Sequence, residues 1–183
     1  VDAERLVLLL RGDLLPKVWI PPREVREARE LLHHRVSLVW LRTELKHSFL
    51  ALLARRNLQP PAGTSWFTAR GQRALQALPL GPGPSTIRED SLALLHLLDE
   101  QIRHRDQELV CRWGEDPRVR RLITLPGIGP FTAILLVLEL GDVHRFPSGK
   151  HLASYIGLTP RIRASTDRIR SGHISKEGNR LVR

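Results

Sequence analysis

Two long amphipathic stretches on either side of a proline- and glycine-rich segment constrain this chain more than any other feature. In the first, Val25, Ala28, Leu32, Val36, Val39, Leu45, Leu52 and Leu53 recur at steps of three, four and seven. Between them stand Arg23, Glu27, Arg29, Glu30, Arg42, Glu44 and Lys46, the pattern of a helix with one apolar stripe. Pro22 suits a first helical turn, and Pro60 with Pro61 ends the stretch. In the second stretch, Leu92, Leu95, Leu98, Ile102 and Leu109 form a narrower seam in which Leu95, Ile102 and Leu109 are spaced by sevens. Thr86 and Glu89 have capping-box spacing and mark its expected start. A helix of this length buries its stripe against a partner, so the two stretches predict an antiparallel helical (coiled-coil) pair, within one chain or between two copies. Residues 59–84 join them, with Pro60, Pro61, Pro79, Pro82, Pro84 and Gly63, Gly81, Gly83 around a short helical patch at 66–78. Little backbone hydrogen bonding is expected to depend on this linker.

The ends of the chain read differently. Residues 2–11 read as the end of a helix, with Leu6, Val7, Leu9 and Leu10 crowding one side, stopped by Gly12. Residues 13–22 are turn-rich, and their Val18, Trp19 and Ile20 are expected to tuck against the body. Beyond residue 116, short helices are punctuated by glycine. Alternating, β-branched sequence is scarce throughout, so the expected class is all-α: the helical pair followed by a small helical domain.

Composition narrows the function. A length of 183 residues and a hydrophobic fraction of 42% allow one domain or two small ones with a real core. The longest apolar runs, around residues 135–138, are far too short to span a bilayer. The single cysteine, Cys111, excludes an intramolecular disulfide and a cysteine-based zinc site, and agrees with a reducing, cytoplasmic setting. There are 29 Lys and Arg against 19 Asp and Glu, a net charge of +10 with pI near 11.2. That surplus points to a polyanion, nucleic acid ahead of an anionic membrane surface.

Two constellations could use it. In residues 122–133, an apolar helix meets the turn Pro126-Gly127-Ile128-Gly129, and a second apolar helix begins at Pro130. The glycines permit a tight turn and close approach of another molecule, and Ile128 can plug the two helices together. The free N–H groups at the second helix start can seat a phosphate oxygen. This is the helix-hairpin-helix pattern of sequence-independent DNA grips, although an ordinary αα-hairpin fits the same residues. The second constellation is 144–183, with nine Lys and Arg against Asp167 and Glu177. Its few aromatics, Phe146 and Tyr155, favour phosphate contact over base stacking.

Three blocks of sequence in this region resemble a known family: Leu125-Pro-Gly-Ile-Gly-Pro130, Phe146-Pro-Ser-Gly-Lys-His-Leu-Ala-Ser-Tyr-Ile-Gly-Leu-Thr-Pro160 and Gly172-His-Ile-Ser-Lys-Glu-Gly-Asn-Arg180. Together, in this order and spacing, they resemble the C-terminal domain of the insertion sequence 110 family of DEDD-type transposases. Val1-Asp2-Ala3, Leu9 to Pro16 and Pro21 to Arg42 are similar to the family's RNase-H-like domain where it runs into its helical pair. The resemblance implies three parts: residues 1–21 as the tail of a catalytic domain, 22–115 as the helical pair, and 116–183 as the transposase domain. It implies DNA recombination, guided by a structured RNA in some members, with catalysis shared between four Mg²⁺-binding carboxylates and a serine. The last carboxylate matches Asp2 and the serine matches Ser165, flanked here by Ala164 and Thr166 where the family commonly has serine and glycine. Gly127, Ile128, Gly129, Lys150, Arg161, Arg163, Arg168, Arg170, Lys176, Asn179 and Arg180 are the implied DNA contacts. The other three acidic positions would precede Val1, and the helix near Gly178 would run past Arg183. The expectation is therefore DNA binding without autonomous recombination, with possible homo-oligomers through the helical pair and no membrane. A non-catalytic DNA- or RNA-binding helical module is the alternative.

Overall fold

The computed structural model describes residues 2–15, 18–165 and 168–183, with side chains given outside 163–171. It is a mostly helical chain. In order come α1 (Asp2–Arg11), α2 (Arg23–Ala54), α3 (Ala69–Gln76), α4 (Pro82–Trp113), α5 (Pro117–Ile123) and α6 (Pro130–Leu140). A single 3₁₀ turn (Val143–Arg145), α7 (Gly149–Tyr155) and the strands β1 (Pro160–Ser165) and β2 (Arg168–Ile174) follow.

Helices α2 and α4, 32 residues each, pack against one another within the chain. Leu95, Ile102 and Leu109, the residues spaced by sevens, are all buried, as are Ala28, Leu32, Phe49 and Leu53 opposite them. The pair is antiparallel: Ala28 and Leu32 share a core with Leu109, whereas Phe49 and Leu53 pack with Leu92. Two cross-helix ion pairs repeat this register at a seven-residue step. Arg35 Nε and Nη2 reach the two carboxylate oxygens of Asp106 at 2.7 and 3.0 Å, and Arg42 Nη1 reaches Asp99 at 2.8 Å.

The start of α4 corrects the capping-box expectation. Gly81 is the N-cap and the helix begins at Pro82, so Thr86 lies inside it and its hydroxyl donates to Pro82 O at 3.2 Å. Prolines in a first turn forgo only N–H groups that have no helical partner, so Pro82 and Pro84 start the helix a turn early.

The linker is more ordered than its composition suggests. Trp66 and Leu75 are buried against Phe49 and Leu53. Thr68 caps α3 by accepting from Gly71 N at 3.1 Å. Arg88 of α4 donates to the carbonyls of Leu75, Gln76 and Leu78, the C-terminal end of α3, where a cation is favoured. Gly71 is required here, because a Cβ on it would lie 1.9 Å from Ser65 O.

A second core joins the helical pair to the C-terminal part. Val119 of α5 and Ala133, Ile134, Leu135, Val137 and Leu138 of α6 are buried with Ala28, Leu32 and Leu109. Leu181 and Val182 pack against the same cluster. At the other end of the chain, α1 buries none of its residues, and Leu6, Val7, Leu9 and Leu10 are exposed. Of the three residues expected to tuck, only Trp19 does; Val18 and Ile20 are exposed.

Candidate nucleic-acid interface

The turn between α5 and α6 has a specific local cause. Ile128 N donates to Leu125 O at 3.1 Å, closing a four-residue turn with Pro126 and Gly127 in its centre. Gly127 has φ +88°, the left-handed value that the third residue of a type II turn needs, and proline pre-sets the second. Ile128 folds inward and is half-buried against the α2/α4/α6 core. Gly129 is the N-cap of α6 and has no side chain to offer, and Pro130 occupies the first helical position. The N–H groups of Phe131 and Thr132 therefore belong to a helix start without a side-chain cap. A Cβ on Gly127 or Gly129 would meet nothing within 4 Å, so the outer side of the turn is open.

Helix α7 stands beside this hairpin. Its Leu152 lines a groove of about 360 Å³ with Arg121 and Leu122 of α5 and Leu136, Val137 and Leu140 of α6. Lys150 is exposed on α7. From α7 the chain enters the β-ribbon, an antiparallel two-strand sheet with a register irregularity between Pro160 and Ile162. The strands come from the alternating runs Arg161-Ile162-Arg163 and Arg168-Ile169-Arg170, a two-residue period that contains no glycine or proline. An all-helical reading missed this ribbon because its alternation is only three residues long on each side.

The chain after the ribbon folds back on α7. Ser175 N donates to Thr159 O at 2.8 Å and Lys176 N to Gly157 O at 3.1 Å. Two glycines make that approach possible. A Cβ on Gly157, whose φ is +76°, would lie 2.8 Å from Glu177 N, and one on Gly178 would lie 2.5 Å from Tyr155 O. The second and third sequence blocks are thus one unit, joined backbone to backbone.

The expected site residues fall into five groups. Gly127, Ile128 and Gly129 form the open turn. Lys150, Arg161 and Lys176 are exposed around the α7–ribbon junction; Lys176 sits at φ +58°, and Arg161 Nη2 lies 3.5 Å from Glu177 Oε1. Arg163, Ser165, Arg168 and Arg170 are placed by backbone register alone, Arg163 opposite Arg170 and Ser165 opposite Arg168 at the ribbon's far end. Their side chains, and Thr166 altogether, lie outside the described residues. Two more have structural partners. Asn179 Oδ1 accepts from Leu181 N at 2.8 Å, and the Arg180 guanidinium stacks over Trp40 of α2 at 5.3 Å. Asp2 is the exposed first residue of α1. A hard divalent cation needs several oxygen ligands, and no group of three or more His, Cys, Asp or Glu that could hold a metal occurs among the described residues. Asp2 alone does not fit a Mg²⁺ site.

Charge in α5 is partly spent locally. Asp116 caps the helix, accepting from Arg118 N at 2.8 Å, and its carboxylate also takes two bonds from the Arg118 guanidinium at 3.1 and 2.7 Å. These hydrogen bonds, with the Arg118 side chain first among them, hold the Asp116 carboxyl below the usual aspartate range. Arg120 is ion-paired with Glu115. Sequence reasoning also missed Arg145. It is one of the nine cations of 144–183, yet it donates to Leu140 O and packs its guanidinium on Trp19, Phe146 and Tyr155.

Residues 119–183 match the transposase IS116/IS110/IS902 family. Over its full length the chain is 30% identical to 44% of the putative transposase y4qE of Sinorhizobium fredii. It is 31% identical, over 87% of its own length and 44% of the relative, to the transposase for insertion sequence element IS1111A of Coxiella burnetii. A stretch covering 33% of the chain is 44% identical to 19% of the pilin gene-inverting protein of Moraxella bovis. The chain spans about half the length of the curated transposases it matches. No helix among the described residues is long and apolar enough to cross a membrane.

Proposed function

We propose, on the match of residues 119–183 to the IS116/IS110/IS902 family of transposases, that the chain belongs to that family and is the DNA-handling part of an insertion-sequence transposase. The observation that carries this reading is the open turn at Gly127 and Gly129 on a helix start without a side-chain cap, in the same small unit as exposed Lys150 and Lys176. Backbone N–H groups at such a start hold a phosphate oxygen without reading sequence, and the flanking cations add long-range attraction. The ribbon supports the same reading. Its backbone register sets position 163 opposite position 170, so two arginines share one rung of the strand pair.

The ribbon is also where the reaction belongs. In this proposal the Ser165 hydroxyl oxygen attacks a phosphodiester phosphorus, a P–O bond to serine forms, the P–O bond to the sugar breaks, and the displaced sugar oxygen takes a proton from water. The serine's own proton goes to a base supplied from outside residues 116–183. Arg161, Arg163, Arg168 and Arg170 neutralise the charge that builds on the phosphate. Mg²⁺ would serve the family's carboxylates, to which Asp2 would contribute one ligand; this chain's own residues carry the phosphate grip. A guide RNA, a homo-oligomer through α2 and α4, and a cytoplasmic location belong to the same proposal.

The test is binding to duplex DNA as a function of salt, followed by incubation with nicked or junction DNA and magnesium. Steep salt dependence supports the grip, and a flat response refutes it. A covalent protein–DNA adduct that disappears in Ser165→Ala identifies the nucleophile. Binding with no adduct would instead establish the non-catalytic binding module.

A further inference from the structure

The C-terminal end of α6 is closed by two arginines from distant parts of the chain. The last carbonyls of a helix have no internal partners and carry partial negative charge. Arg29 of α2 donates to Leu138 O at 2.8 Å and Glu139 O at 2.9 Å, while Arg145 donates to Leu140 O at 3.3 and 3.2 Å. The buried Glu139 carboxylate faces the same cluster, with His33 Nε2 at 2.5 Å and Arg29 Nε at 3.8 Å. Both guanidiniums also pack on one ring, Trp19, at 5.4 Å for Arg29 and 4.9 Å for Arg145.

The residue after the helix completes the seat. Gly141 has φ +67°, and a Cβ on it would lie 2.3 Å from Cη2 of Trp19, so the indole rests on bare backbone. The Arg145 guanidinium also packs on Phe146 at 4.2 Å and Tyr155 at 4.6 Å. By contrast, Val18 and Ile20 on either side of Trp19 are 84% and 72% exposed, and α1 buries nothing.

We propose that Trp19 is a positioning residue, the pin that fixes the segment between α1 and α2 on the end of α6 and so sets where α1 approaches the DNA-handling unit. Two guanidiniums packed on one indole attract it electrostatically as well as by contact, which holds an otherwise exposed segment. The proposal rests on the preceding functional reading only in giving that approach a use: α1 carries Asp2, the residue that matches the family's last carboxylate. It also reassigns Arg145, which serves assembly and not phosphate.

Cys111 is exposed and is the only cysteine, so the chain offers one native labelling position. Spin labels on Cys111 and on Val18→Cys report the distance from α4 to the pinned segment by pulsed EPR. The expected result is a narrow distribution in the parent, broad distributions in Trp19→Ala and Gly141→Ala, and a narrow one again in Trp19→Phe, which keeps a ring for both guanidiniums. A distribution that stays narrow in Trp19→Ala overturns the pin, as does a parent that is already broad. DNA binding by the same variants is read separately: its absence in the parent would sink the functional reading and leave the pin standing.

Discussion

The helical pair and the C-terminal unit are both rich in arginine, and they use it in opposite ways. Residues 22–115 hold fourteen Lys and Arg against eleven Asp and Glu, and the pairings close inside the fold. Arg35 meets Asp106, Arg42 meets Asp99, and Arg105 and Arg112 share Glu108. Residues 144–183 hold nine cations and two anions. The ion pair found there among the described residues, Arg161 with Glu177, is solvent-exposed at 3.5 Å and worth little. Charge in the first region sets helix register; in the second, Arg145 and Arg180 stack on rings inside the fold, while Lys150, Arg161 and Lys176 are exposed, which in the proposed function leaves these three for an external anion. Net charge alone would not have separated the two uses, because only geometry shows which cations already have partners.

The sharpest way to break this comparison is through the core that both regions share. Leu109 is 1% exposed and packs with α2, α5 and α6 residues at once. Leu109→Ala should cost about 2–5 kcal/mol, measured by urea unfolding, and should lower the stability of the helical pair and the C-terminal unit together. Two separated transitions would show that the regions are energetically independent.

Asp116→Ala removes a helix cap at the boundary and should cost about 1 kcal/mol. Because the folded carboxyl titrates below its unfolded value, its contribution is present above the unfolded pKa and fades as pH falls through the folded one. The gap between Asp116→Ala and parent should therefore be full at pH 7 and close on acidification below about pH 4. A gap that widens in acid would contradict the assignment.

Asp106→Asn tests the paired charges with a smaller effect, about 0.2–1 kcal/mol of stability and no change in DNA affinity. A loss of DNA binding in this variant would mean that the helical pair is itself part of the interface.

The same contrast explains what was legible in the sequence. The seam of Leu95, Ile102 and Leu109 could be read because helix periodicity is local and repeats over many turns. The Pro126-Gly127 turn could be read because proline and glycine fix the backbone themselves. Phe49, fully buried, fell outside the stripe that was counted, yet it sits four residues before Leu53 on the same face. The Thr86 and Glu89 signal was genuine in spacing and lost to Pro82, which shows a stronger local determinant overriding a weaker one. The Trp19 seat was invisible because its parts lie 126 positions apart, from Trp19 to Arg145, and cation–π pairs leave no spacing to find. The ribbon left only its short Arg-Ile-Arg alternation, and that is the signal to look for.

The central claim is that the C-terminal cations grip phosphate while those of the helical pair do not. The most direct measurement compares the salt dependence of duplex DNA binding in two charge-matched variants. One replaces Lys150, Arg161 and Lys176 with alanine, and the other replaces Arg23, Arg26 and Arg56. Each phosphate contact contributes about 0.9 to the slope of log affinity against log salt. The first variant should therefore flatten the slope by roughly 2 to 3, while the second leaves it at the parental value. Equal flattening in both, or none in the first, would contradict the account.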